Sequence, residues 1–161
     1  RHFMTNVSKW AITAFCSVLL AGCGSSQEKA EELVKLMGMD VQYKMVVQVA
    51  TSGYASKYRE VAPEKIKAVI EDNISQDLLK DTLVQVYADH FDADELELMI
   101  EANKHPDQAM KIIMGSKDGM KLAKKTMEVQ VDLQRDMAKA FEDRDEDIVD
   151  ELDDLQKEAR G

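Results

Sequence analysis

Residues 120–141 read MKLAKKTMEVQVDLQRDMAKAF. Ala123, Met127, Val131, Ala138 and Phe141 fall on one face at helical spacing, with Leu122, Val129, Leu133 and Met137 alongside. So broad an apolar face predicts the longest helix of the chain, central in a bundle and buried against several neighbours. Composition agrees. Leu, Met, Ala, Lys, Glu and Gln dominate, and these side chains lose little freedom in a helix. Prolines and glycines are few, and no alternating run of β-branched residues suggests a sheet. The predicted fold class is all-α, an irregular bundle of about six to seven helices.

Working back toward the N-terminus, the residues 115–119 form a turn, preceded by a short helix from Gln108 to Met114. His105-Pro106 ends a helix that starts at Asp92-x-x-Glu95, a capping-box pattern, and buries Leu96, Met99 and Ile100. Ser75 caps another, with Leu78, Leu79, Leu83, Val86 and Tyr87 facing inward. Pro63 suits the first turn of a helix whose buried stripe is Ile66, Val69, Ile70 and Ile74. From Val41 to about Tyr58, helical spacing links Tyr43, Val46, Val47, Ala50, Tyr54 and Tyr58, with Asp40 the expected N-cap. The first helix spans Gln27 to Met37, uses Leu33, Val34 and Met37, and breaks at Gly38.

Beyond Phe141 the chain is strongly acidic, and Ile148, Leu152 and Leu155 interrupt the polarity. Residues 143–161 are expected to be a weakly packed helix or mobile tail. Within it, Asp143, Asp145, Asp147, Glu151 and Asp154 occupy positions 1, 3, 5, 9 and 12 of an EF-hand-like calcium loop. Position 6, where the turn needs glycine, is Ile148, and Asp154 is shorter than the usual bidentate Glu. A solvated acidic helix is the simpler expectation, with diffuse association of divalent cations.

At the other end, Arg1 and Lys9 precede an apolar run from Ala11 to Leu20, followed by Leu20-Ala21-Gly22-Cys23. The run is shorter than the ~20 apolar residues of a finished membrane helix. The arrangement resembles a bacterial lipoprotein signal peptide with its lipobox. The resemblance implies that residues 1–22 are removed and that Cys23 carries the covalent lipid. It also implies that residues 23–27 form a tether ahead of a helical domain over 28–142. Gly24, where Asp would resemble an inner-membrane retention signal, implies outer-membrane residence facing the periplasm. Cys16 leaves with the leader and Cys23 is acylated, so no thiol remains for disulfide or metal chemistry.

Three segments follow one another in order: Glu32 to Asp40 (ELVKLMGMD), Tyr87-x3-Phe91-x3-Glu95-Leu96-x2-Met99-Ile100, and Gly119-x-Lys121-Leu122. Over roughly residues 28–142 they resemble an exported, all-helical bacterial family classed as a domain of unknown function. The family implies a helical periplasmic fold and supplies no catalytic residues.

Charge narrows the function classes. The leader holds two of the 21 basic residues and none of the 31 acids, so the remainder carries a formal −12. Such a chain repels nucleic acid, and no basic stripe stands out in its sequence. It also repels anionic lipid, so the acyl group is expected to hold the membrane. His90 with Asp92, Asp94 and Glu95 has metal-compatible side chains but not the spacing of a zinc site. The nine methionines after the leader are expected to fill the core, with an apolar groove as the secondary reading. Neither a nucleophile elbow nor a phosphate loop occurs. A non-enzymatic, membrane-anchored module that binds an envelope protein or apolar ligand is the leading expectation. The competing ones are an acidic-residue hydrolase acting on envelope material and a cation-binding lipoprotein using the tail.

Overall fold

The structure, a computed structural model, describes residues 25–161. Leu20, Ala21, Gly22 and Cys23 lie outside the described residues. The all-α class holds: no strand occurs among the described residues. Helix α1 covers 25–36, followed by α2 (Met39–Ala55), α3 (Pro63–Asn73), α4 (Gln76–His90) and α5 (Ala93–Lys104). A 3-10 turn at Pro106–Gln108 leads into α6 (Ala109–Met114), α7 (Lys117–Ala140) and α8 (Glu142–Arg160).

The punctuation has local causes. Gly38 turns α1 into α2 with φ +74°, a left-handed conformation open to a residue without Cβ. It takes the N-cap position expected of Asp40, which sits in the first turn of α2 and accepts a bond from Gln76 Nε2 at 2.7 Å. Pro63 opens α3, and the Ser75 hydroxyl accepts from the Leu78 amide at 3.0 Å. Asp92 and Glu95 form the complete capping box, at 2.9 and 3.0 Å. Ser25, Ser26 and Gln27, expected in a flexible tether, are already helical in α1.

Two cores organise the helices. In the first, Val47 of α2 meets Ile66, Val69 and Ile70 of α3 and Ile148 and Leu152 of α8. In the second, Leu33 and Val34 of α1 pack with Val84 and Phe91 around α4, Leu96 and Ile100 of α5, and Leu122 of α7. Helix α4 touches both α2 and α7 and so links the two.

Two expectations need correction. The acidic segment after Phe141 is helical, as one of its two expected alternatives had it. This 19-residue helix is firmly rather than weakly packed, because Ile148 and Leu152 stand one turn apart and are both fully buried. Leu155 packs beside them, so a narrow apolar stripe docks a helix whose other faces are solvated. Helix α7, expected to be central, is buried along one side only. Leu122 is buried and Val129 and Leu133 pack behind it, whereas Met127 and Val131 are 78% and 64% exposed. The broad apolar face is therefore two separate arcs. The packed arc includes Gly119, where an added Cβ would lie 1.9 Å from the Ile113 carbonyl oxygen.

The docking of α8 is testable by Leu152→Ala. Truncating a fully buried leucine should cost about 2–5 kcal/mol and lower the melting temperature. A loss below about 0.5 kcal/mol, the usual effect of a surface change, would mean that α8 does not complete the first core. Gly119→Ala should destabilise by roughly 1–3 kcal/mol in a denaturant titration, because α6 must shift to admit the methyl group.

Candidate functional site

Val46, Ala50 and Tyr54 recur every four residues along α2 and form one wall of a cleft of about 640 Å³. The opposite wall comes from the α7–α8 junction: Ala138, Phe141 and Ile148. Ile74, just past the end of α3, lines it too, and charged Arg135, Lys139, Glu142 and Asp145 also border it. Phe141 makes this geometry. It is the single residue between α7 and α8, and its carbonyl accepts the Asp145 amide at 2.9 Å as the new helix starts. Its backbone, with φ −98° and ψ 4°, leaves the helical region there, and the ring packs against the first core. The volume lies within the ~300–1,000 Å³ range of small-molecule sites, and a mainly apolar lining with a few polar groups is their usual composition.

Phenol hydroxyls tie the elements around the cleft. The Tyr54 hydroxyl donates to Asp145, closing one end between α2 and α8. Below it, the Tyr58 hydroxyl donates to Asp153 at 2.8 Å, and Tyr43 donates to the Ile74 carbonyl at 2.5 Å. Asn73 adds a longer contact to Glu151 at 3.4 Å, and Arg160 reaches Glu60 at 2.5 Å. Each phenol is held neutral. Burial first, then the bond to Asp145, pushes the Tyr54 pKa up. Burial and the Asp153 bond push Tyr58 to about 12. Burial also raises Tyr43 and Tyr87, with Glu71 and Asp72 contributing at Tyr43.

The five carboxylates at calcium-loop spacing, Asp143, Asp145, Asp147, Glu151 and Asp154, do not converge. They sit on the continuous helix α8, where no loop exists to wrap an ion. At about 100° per residue, Asp145 points well away from Asp143, Asp147 and Asp154, and it accepts the Tyr54 hydroxyl. Asp147 has Arg144 at 3.9 Å, and Glu151 faces Asn73. Among the described residues no group of three or more His, Cys, Asp or Glu side chains could hold a metal ion.

The His90 cluster is likewise dispersed. His90 Nε2 lies 2.6 Å from Asp136 of α7, and Asp92 and Glu95 cap α5. Glu95 also receives Lys125 at 2.6 Å, while that ammonium stands 5.4 Å from the centre of the Phe91 ring. These groups join α4, α5 and α7. Met110 and Met114, expected in the core, are 76% and 51% exposed.

Sequence reasoning named most of the apolar cleft residues but placed them in a closed core. The Tyr54–Asp145 bond had no sequence signal, because its partners are far apart in the chain. Comparison with family models, curated proteins and solved structures gives no match.

The phenols make a pH prediction. An unfolded tyrosine ionises near pH 10, and all four tyrosines here have raised values in the folded state. Their contribution is therefore complete below about pH 10 and is lost as pH rises toward 12. Absorbance near 295 nm, the tyrosinate band, should rise at higher pH in the folded chain than in the unfolded one, together with loss of helical circular dichroism. Early ionisation of the phenols in a still-folded chain would contradict these contacts.

Proposed function

We propose that this chain is a membrane-anchored envelope lipoprotein whose helical domain binds a small apolar ligand in the cleft between α2, α7 and α8. The observation that carries the binding role is the cleft itself. Apolar side chains from three helices converge on open space there, and they sit on backbone fixed by the Tyr54 and Tyr43 bonds. An apolar ligand gains by transferring its surface out of water, about 25 cal/mol for each Å² buried. The charged rim offers both signs, Arg135 and Lys139 beside Glu142 and Asp145, for a polar end. The hydrolase alternative gains nothing from these carboxylates. Both are exposed, and Asp145 is already engaged by Tyr54.

The anchor and periplasm-facing outer-membrane address rest on the sequence ending at Cys23. The resemblance to the exported helical family adds support through its motif residues. Leu33, Phe91 and Leu96 are core residues, Gly38 has the left-handed backbone, and Gly119 lies against α6. These are positions that a shared fold would constrain.

Two experiments separate the parts of this proposal. A Cys23→Ala chain should lose acyl labelling and leave the membrane fraction; retention in that fraction would remove the anchor. The binding role is tested with a dansyl-labelled fatty acid as an environment-sensitive probe. Ala138→Trp, which fills the cleft from its α7 wall, should weaken probe binding at least about tenfold, the effect of losing ~1.4 kcal/mol, with helical circular dichroism unchanged. Equal affinity in a folded Ala138→Trp chain would exclude the cleft as the site.

A further inference from the structure

Helix α7 has a second apolar arc whose middle, at Met127 and Val131, stands largely exposed. Met120, Met127 and Val131 fall within about 40° of one another around the helix axis, and they are 48%, 78% and 64% exposed. Beyond one edge of this arc lie Lys117, Lys121 and Lys124, with Glu128, Asp132 and Arg135 further along it, all exposed, so the edge is net positive but not free of acid. Lys117 and Lys121 have no ion-pair partner among the described residues, and Lys124 has only Glu128, one turn away at 3.9 Å. The opposite edge is uncharged, formed by Ala123, Gln130 and Gln134. In a chain of formal charge −10, a cationic strip beside an apolar stripe is a local inversion of the whole. The three lysines fall within residues 117–124, and helical spacing sets them along one edge.

We propose that this face of α7 rests on an anionic phospholipid surface, with Met120, Met127 and Val131 entering the headgroup region and the three lysines meeting lipid phosphates. A helix lying in an interface needs this division into an apolar face and a lysine-bearing border. Lysine suits the role because its stem lies along apolar surface while the ammonium reaches back to phosphate and water. Lys124 decides between occupants. It stands between Met120 and Met127 along the helix, so pairing with the same stripe of a second copy would bury an ammonium. A lipid surface lets it snorkel. A nucleic acid would match the lysines but offer nothing to the methionines and valine, and the stripe has no aromatic ring for base stacking. Each lysine near an anionic surface contributes attraction that fades within a Debye length.

The inference concerns α7 alone and does not rest on Cys23 or on the cleft. It is tested with the full chain bound to vesicles of phosphatidylglycerol and phosphatidylethanolamine. A photoreactive benzophenone amino acid replaces Met127, or exposed Glu158 on α8 as the control. Adducts are counted per vesicle-bound chain, so loss of the anchor lowers the bound fraction without altering the ratio. The position-127 probe should give at least about ten times more lipid adduct than position 158. That yield should fall about tenfold in Lys117→Glu/Lys121→Glu/Lys124→Glu, in pure phosphatidylcholine, or at about 0.5 M salt, where screening removes the attraction. The vesicle and salt arms decide the outcome if the triple variant fails to fold. Equal yields at the two positions, a lipid adduct indifferent to lipid charge and salt, or a chain-to-chain adduct at 127 would overturn the proposal.

Discussion

The burial of Ile148 and Leu152 is the interaction on which the rest of this structure depends. Helix α8 is otherwise acidic and has little to gain from leaving water. These two side chains, one turn apart, are fully buried and complete the core between α2 and α3. Once they dock, Asp145 comes within reach of Tyr54, Asp153 of Tyr58 and Glu60 of Arg160. Their burial also sets Ile148 and Phe141 along one side of the cleft. The polar contacts thus depend on hydrophobic docking, since exposed bonds and ion pairs are individually weak in water.

The same helix shows how an acidic chain folds without burying unpaired charge. Its apolar side chains face the core, and Asp145 and Asp153 meet neutral phenol donors. A phenol donates to a carboxylate without needing a second ion; it is protonated at ordinary pH in any case, and burial raises its ionisation further. Among the described residues no buried side-chain nitrogen or oxygen lacks a partner. The surplus negative charge remains on solvated faces of α8. On α7, by contrast, lysines collect beside exposed methionines, so the molecule presents surfaces of opposite character.

Much of the helix layout was legible locally. Pro63, Ser75 and the Asp92–Glu95 box act within one turn of themselves, so their sequence patterns carry their structural meaning. The stripe of Ile66, Val69 and Ile70 was equally legible, because it occupies a single arc that one core covers. Helix α7 was not, because its apolar residues occupy two arcs and periodicity cannot say which receives neighbours. Likewise, alternating carboxylates on α8 resembled a calcium loop until continuous helix separated them. Gly38 displaced Asp40 as N-cap because the tight passage from α1 to α2 needs positive φ.

By itself the sequence determined that this is a helical chain, where most of its helices begin and end, and that it carries a strong surplus of acid. It also contains the leader pattern from which the lipid-anchor proposal comes. These properties follow from propensity, capping and charge, which act over a few residues or simply add. Only the tertiary structure decided which apolar arc of α7 is covered, how firmly α8 docks, and where α2 and the α7–α8 junction leave a cleft. Those outcomes depend on contacts between residues far apart in the chain. A local period specifies that a face is apolar, whereas packing selects what covers it.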